Sequence, residues 1–360
     1  MAQKSTKTES TKTKATKAKA SRAPALPAVT IVIEWENAID VEDKWTGVAM
    51  AALEREIAEV GPRMSAKPRI MYLYNKNTVD PTIIDRTLAS VAPRLRQLAD
   101  VEVIPTDGLT YYKLKNYGIA RATTDISIML DSDAAPQPGW LEGLLEPFAD
   151  PEIMAVAGFT YLGHEDLLSR TMALSWIFDL PDEGKRTEKR HKMHPNNAAV
   201  RTDFFRENPF PDLPAFKKQC GFWLRDITER GYGFLRTEKA QTIHAPHSGP
   251  RFVIWRAWTK GTDRDYQLFQ TKARSRLGRM AHAAAYSGGH LGEAWWRILT
   301  KGKKVDLPVW QRPAAMAIAL GFYGVTLAGA LTSALTRSFE PLPKSDKPRA
   351  AKASRKPAAA

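Results

Sequence analysis

The sequence predicts an α/β fold, with a mostly parallel central sheet flanked by helices and a helical extension at the C-terminal side. Two observations carry the sheet. Short apolar, β-branched runs alternate with stretches whose apolar residues recur at helical spacing. The runs are also apolar throughout rather than at every second position, the pattern of strands covered on both faces. A third observation carries the extension: residues 314–335 contain no charged side chain.

Val29 to Ile33 is the first strand. After a polar loop, Trp45, Val48, Ala49, Ala52, Leu53, Ile57 and Val60 fall on one helical face, and Gly61-Pro62 stops the helix. Arg69 to Tyr74 is the second strand, and Ile84, Leu88, Val91, Leu95 and Leu98 at steps of four and three predict a second helix. Val101–Ile104 and Ile126–Leu130 are two more strands, with Tyr111–Ala122 as a helix between them. In such a sheet ligands gather at the carboxyl ends of the strands. Those ends are Glu34-Trp35-Glu36-Asn37, Asn75-Lys76-Asn77, the region of Asp107-Gly108, and Asp131-Ser132-Asp133. None is followed by the glycine fingerprint of a Rossmann or P-loop nucleotide site.

Composition narrows the function. The chain has 360 residues and a formal net charge of +14. Residues 1–28 hold seven Lys or Arg against one Glu, and residues 337–360 hold seven against two acids, so only +3 is left for residues 29–336. The charge that would suggest a nucleic-acid partner sits mainly in two tails of Lys, Ala, Thr, Ser and Pro, which lack the apolar surface to offset the entropy of ordering. No nucleic acid is expected as a partner. The N-terminal tail has no apolar core of a secretory signal and is expected to be retained. Cys220 is the sole cysteine, which excludes an intrachain disulfide and a thiolate zinc site.

Asp131 and Asp133 follow a buried strand and precede Ala134-Ala135-Pro136-Gln137-Pro138-Gly139-Trp140. Two carboxylates at the mouth of an apolar strand repel each other unless a positive charge lies between them. A hard divalent ion, Mg²⁺ or Mn²⁺, that takes one or two carboxylates plus substrate phosphates meets that need.

Lys115-Asn116-Tyr117-Gly118-Ile119-Ala120 before the strand, Leu130-Asp131-Ser132-Asp133-Ala134 at its end and Pro138-Gly139-Trp140-Leu141 after it resemble glycosyltransferase family 2. The likeness continues through Met154–Phe159, Pro195–Arg201, Gly231-Tyr232 and Ile243-His244, covering roughly residues 29–250. It implies the GT-A fold, Rossmann-like, and transfer of a sugar from a nucleotide-diphosphate donor to an acceptor hydroxyl, with inversion and a divalent cation. On that reading Asp131 contacts the donor or the metal, Asp133 and His244 ligate the metal, and Lys115 and Asn116 stand where the family has Arg-Asn near the donor phosphates. Glu36, Asn37 and Asp80 fall at the nucleoside side.

Two departures bear on this. The turn at Asn75-Lys76-Asn77 lacks the usual acid, leaving Asp80. The acidic pair that supplies the general base, roughly twelve residues before Gly-Tyr, reads Gln219-Cys220 here. Asp226 is therefore the expected base, with Asp212 the other nearby acid; the alternative is a catalytically silent relative that binds nucleotide-sugar or glycan as a scaffold or sensor. Trp35 reads more readily as core than as a nucleoside wall, and His191 and His194 as part of a solvated charged loop.

The expected organisation is a disordered basic tail at 1–28, a GT-A domain at 29–250, an amphipathic interfacial region at 251–312, a transmembrane or re-entrant helix at 313–336 and a second basic tail at 337–360. Residues 314–335 would span roughly 33 Å as a helix. Trp255, Trp258, Trp295, Trp296 and Trp310 lie among Arg256, Lys260, Arg297, Lys301 and Lys303 ahead of it, the mix that suits a lipid interface. The expectation is a membrane-associated enzyme with its catalytic domain in the cytoplasm and a glycan or lipid-linked acceptor. A single span would then export the basic C-terminal tail, against the positive-inside rule.

Overall fold

The structure is a computed structural model and describes residues 25–41, 43–181, 187–188, 192–246 and 249–342. Most of both basic tails, His191 and His247 lie outside the described residues.

The elements in chain order are β1 (Val29–Glu34), α1 (Asp43–Val60), β2 (Arg69–Asn75), α2 (Pro81–Val91), α3 (Leu95–Leu98), β3 (Asp100–Thr106), α4 (Tyr111–Arg121), β4 (Ile126–Asp131), β5 (Ala134–Pro136) and α5 (Trp140–Leu145). They continue as β6 (Ile153–Leu162), α6 (Leu167–Ser175), β7 (Thr187–Glu188), β8 (Asn197–Arg201), α7 (Thr202–Glu207), α8 (Gln219–Glu229), β9 (Gly233–His244), α9 (Gly249–Thr271), α10 (Arg276–Lys301) and α11 (Arg312–Thr336). One mixed sheet runs β3-β2-β1-β4-β8-β6-β9-β5, with β7 beside β9. The expected parallel pairing holds for β3, β2, β1 and β4. From β4 onward β8 runs antiparallel to both β4 and β6, and β5 antiparallel to β9.

β1 is the centre of the parallel half and is buried along its whole length. One face of the sheet carries α1, α2 and α5 on a core that includes Ile31, Ile33, Tyr72 and Trp140; the other carries α4, α7 and α8 on Val32, Met71, Met129 and Trp223. Trp35 belongs to the first core, edge-on to Tyr72 at 5.7 Å. α4 lies so close to β1 that a Cβ on Gly118 would stand 2.3 Å from Val32 Cγ1, so only glycine fits there. The helix expected from Ile84 to Leu98 is broken in two. Pro93 cannot donate a backbone hydrogen bond and disfavours helical backbone in the residue before it, and Ala92 accordingly leaves the helix with φ −139° and ψ 57°.

A third core joins α6 to the C-terminal helices through Trp176, Phe178, Val253, Ile298 and Phe322. α9 and α11 touch backbone to backbone: a Cβ on Gly261 would meet the Thr326 carbonyl at 2.0 Å, and one on Gly329 the Trp258 carbonyl at 2.5 Å. Val309–Thr336 is long and apolar enough to cross a membrane. Here α11 buries Ala315, Ala319, Phe322, Thr326 and Ala330 against its neighbours and turns Leu320 and Leu335 outward.

Candidate active site

The strand order carries the site's geometry. Adjacent parallel strands β1 and β4 end in register, with Glu34 opposite Asp131. The chain then turns through Ser132-Asp133 into β5, whose Ala134 pairs with His244 at the end of β9. Residues far apart in sequence thus converge: ligand atoms of Asp131, Asp133 and His244 all lie within 4.8 Å of one another.

The two aspartates are held differently. Asp131 accepts from the Tyr111 hydroxyl (2.9 and 3.0 Å), from Asn37 Nδ2 (3.0 Å) and from Lys115 Nζ (2.7 Å). Burial disfavours its charge, yet Lys115, with Lys217 and His244 beyond, holds its carboxyl below the ordinary range. Asp133 is 1% exposed, and among the described residues neither carboxylate oxygen has a hydrogen-bond donor. Burial pushes its carboxyl up and Asp131 pushes it further, with His244 acting against both. His244 Nε2 is 3.5 Å from Asp133 Oδ2, while Nδ1 is 2.9 Å from the Ala245 carbonyl. A carbonyl only accepts, so Nδ1 donates to Ala245, and Nε2 is the ring nitrogen that faces Asp133. An imidazole nitrogen and two buried carboxylates at this spacing are the donor set of a divalent cation. The residues therefore fit Mn²⁺ or Mg²⁺.

Glu34 joins this group although the sequence pointed to Glu36. β1 runs one residue further than the apolar pattern indicated, which sets Glu34 beside Asp131; it is fully buried, and burial and Asp131 raise its carboxyl. Glu36 instead accepts from the Asn75 backbone N–H at 2.8 Å and ties the loop to β2. Tyr111 was legible only as part of a helix, with nothing to mark its hydroxyl.

Other expected contacts are reassigned. Lys115 is 0% exposed and donates to the Leu130 carbonyl as well as to Asp131, so it positions Asp131. Asn116, one residue further round α4, exchanges two hydrogen bonds with the Phe210 backbone (2.9 and 3.1 Å). Asp80 caps α2, accepting from Thr82 N at 2.9 Å, and is exposed. Asp226 is paired with Arg230 at 3.1 Å on α8, and its neighbour Arg225, not Asp226, reaches the cavity wall. Asp212 is paired with Lys113 at 2.8 Å, its side chain 75% exposed.

A cavity of about 540 Å³ opens at Asn37, Tyr111, Asp131 and His244 and continues past Trp176, Phe178 and His194 to α9, α10 and α11. His194 lines it rather than sitting in a solvated loop. Among the described residues the carboxylates along its wall are Asp131 and Glu293.

Residues 80–208, which include both aspartates, match the family model for glycosyl transferase family 2. The chain carries a glycosyltransferase family 2 domain. A stretch of 43 residues is 51% identical to the pre-mycofactocin glycosyltransferase of Mycobacterium tuberculosis, found in two strains; it is 12% of this chain and 9% of those relatives. The match thus spans less than a tenth of the relatives' own length. Across most of its length the chain shares its fold with a mannosyltransferase from Pyrobaculum calidifontis solved with GDP-Man and Mn²⁺. That likeness has a TM-score of 0.50 at 17% identity, over 88% of this chain and 90% of that one. The fold is GT-A.

Proposed function

We propose that the protein is a divalent-metal-dependent, inverting glycosyltransferase that moves a sugar from a nucleoside-diphosphate donor to an acceptor in the adjoining cavity. The observation that carries this reading is Asp133, a buried carboxylate with both oxygens orphaned beside His244 Nε2. Mn²⁺ or Mg²⁺ bound by Asp131, Asp133 and His244 would supply Lewis-acid stabilisation of the leaving diphosphate. Tyr111, Asn37 and Lys115 hold Asp131 in one orientation, and Trp176 and Phe178 keep the cavity wall apolar beside it. Inversion corresponds to attack from the cavity on the face opposite that diphosphate.

The second reading, a silent relative that binds nucleotide-sugar or glycan without turnover, draws on Gln219-Cys220 and on Asp226 facing away from the cavity. We place the protein at the cytoplasmic membrane surface, acting in envelope or lipid-linked glycan synthesis. Outward-facing Leu277, Trp296, Val309 and Trp310 on α10 and the turn into α11 support that placement. A panel of nucleotide-sugars incubated with Mn²⁺ tests the activity. Turnover of one of them that falls about a hundredfold or more in Asp133→Ala, together with loss of the thermal stabilisation by Mn²⁺, is expected; binding without turnover in the native protein selects the silent relative.

A further inference from the structure

Beyond Tyr111 the cavity changes character. Lys217, Lys218, Arg256 and Lys260 face it from the segment entering α8 and from α9. Arg256 and Lys260 are each 8% exposed. Among the described residues no carboxylate pairs with either. Arg256 lies against the rings of Trp176 (5.6 Å), Phe216 (5.2 Å) and Trp255 (5.7 Å), and its Nη1 is buried without a partner. Lys260 Nζ lies over Phe322 and Tyr323, at 5.2 and 5.1 Å. Asp263, on the same helix, accepts from the Phe216 and Lys217 backbone N–H groups at 2.7 and 2.9 Å. Glu293 is bound by Arg297 at 2.5 Å and faces His290 at 3.4 Å.

Burying a cation without a counter-charge is costly, and neighbours of the same sign add to the cost. Burial, with Lys218 and Arg256 alongside, pushes the Lys260 ammonium down to about 7. Two buried cations and two half-buried ones, facing one space, are a charge deficit that a bound dianion removes. The surrounding walls are aromatic, and Phe216 and Trp255 are 41% and 44% exposed at the outer side.

We propose that this end of the cavity binds the phosphate monoester of an amphiphilic acceptor, with the phosphate held by Arg256 and Lys260 and the apolar tail leaving past Phe216 and Trp255. Its role as acceptor rests on the glycosyl-transfer reading; the anion site does not. A phosphate monoester is largely dianionic at neutral pH. Its oxygen forms the bond to the sugar's anomeric carbon as the bond from that carbon to the donor's diphosphate oxygen breaks, and the electron pair leaves with the nucleoside diphosphate. No proton has to be removed, so the step needs no carboxylate where Gln219-Cys220 stand.

Calorimetry on the full chain tests this with decyl phosphate, decanol and inorganic phosphate as probes. Decyl phosphate is expected to bind about tenfold or more tighter than either control. Lys260→Met and Arg256→Met each weaken it by about tenfold or more, and Lys260→Arg restores it. A nucleoside diphosphate with Mn²⁺ leaves decyl phosphate bound. Equal binding of decanol or of inorganic phosphate, no effect of Lys260→Met, or displacement by the nucleoside diphosphate would overturn the proposal. Failure of Mn²⁺-dependent nucleotide binding, with decyl phosphate still bound in a Lys260-dependent way, would instead sink the donor reading alone.

Discussion

The two ends of the cavity carry opposite imbalances of charge. At the strand ends Glu34, Asp131 and Asp133 crowd together, and Lys115 is ion-paired to Asp131. At the helical layer Arg256 and Lys260 are buried among aromatic rings, and among the described residues no carboxylate pairs with either. Each imbalance is unfavourable by itself, and the ends meet at Tyr111 and Lys217, whose Nζ lies 3.3 Å from the Tyr111 ring centroid. A fold that keeps both imbalances is built for two ligands of opposite charge, a cation at one end and an anion at the other.

Breaking the internal ion pair on the carboxylate side has the largest expected effect on stability. Lys115→Met leaves Asp131 buried beside Glu34 without its cation and is expected to cost about 3–5 kcal/mol in urea unfolding. The double variant Lys115→Met with Asp131→Asn should recover much of that loss. A recovery absent from the double variant would mean that Lys115 acts through packing on α4 rather than through charge.

The cation side sets a pH dependence of intermediate size. Burial, with Lys192 beside it, depresses His194 to about 3; Asp179 acts the other way, and Arg236 and His244 reinforce the depression. The folded value lies below the unfolded one of about 6.5, so the unfolded chain takes the proton first. His194 thus contributes stability that is complete above about pH 6.5 and is lost as pH falls toward 3, on the order of 2–4 kcal/mol. Urea midpoints in EDTA between pH 7 and 4 should fall less steeply in His194→Gln than in the native protein; equal slopes would place the acid sensitivity elsewhere.

The smallest effect concerns Asp226. Because its partner is Arg230 on the same helix, Asp226→Asn is expected to change transferase activity less than about twofold and stability by about 1 kcal/mol or less. A large loss of kcat would restore it to the reaction and remove the reason for an acceptor that arrives ionised.

Much of the carboxylate end was legible in the sequence. Asp131 and Asp133 come directly after a run of buried residues, and a strand end fixes both the position and the direction of the next few residues. His244 was legible through family likeness, since its approach depends on β9 pairing with β5 far along the chain. β1 runs one residue past the apolar run, so Glu34 is still a strand residue opposite Asp131, whereas Glu36 already lies in the turn that follows. On α4 the step from Lys115 to Asn116 is about 100° of rotation, which sends one side chain to Asp131 and the other to Phe210.

The sequence by itself determined the alternation of strands and helices, the paired aspartates, the near-neutral charge of the chain between its tails and the apolar segment at 314–335. These are local properties, written in periodicity and composition. Only the tertiary structure decided that α11 packs through Gly329 against α9 as part of a layer, and that this layer carries Arg256 and Lys260 to the cavity that begins at Asp131. Helices place side chains by packing against partners distant in sequence, and whether a charge on them meets a counter-charge depends on that packing, not on the residues beside it.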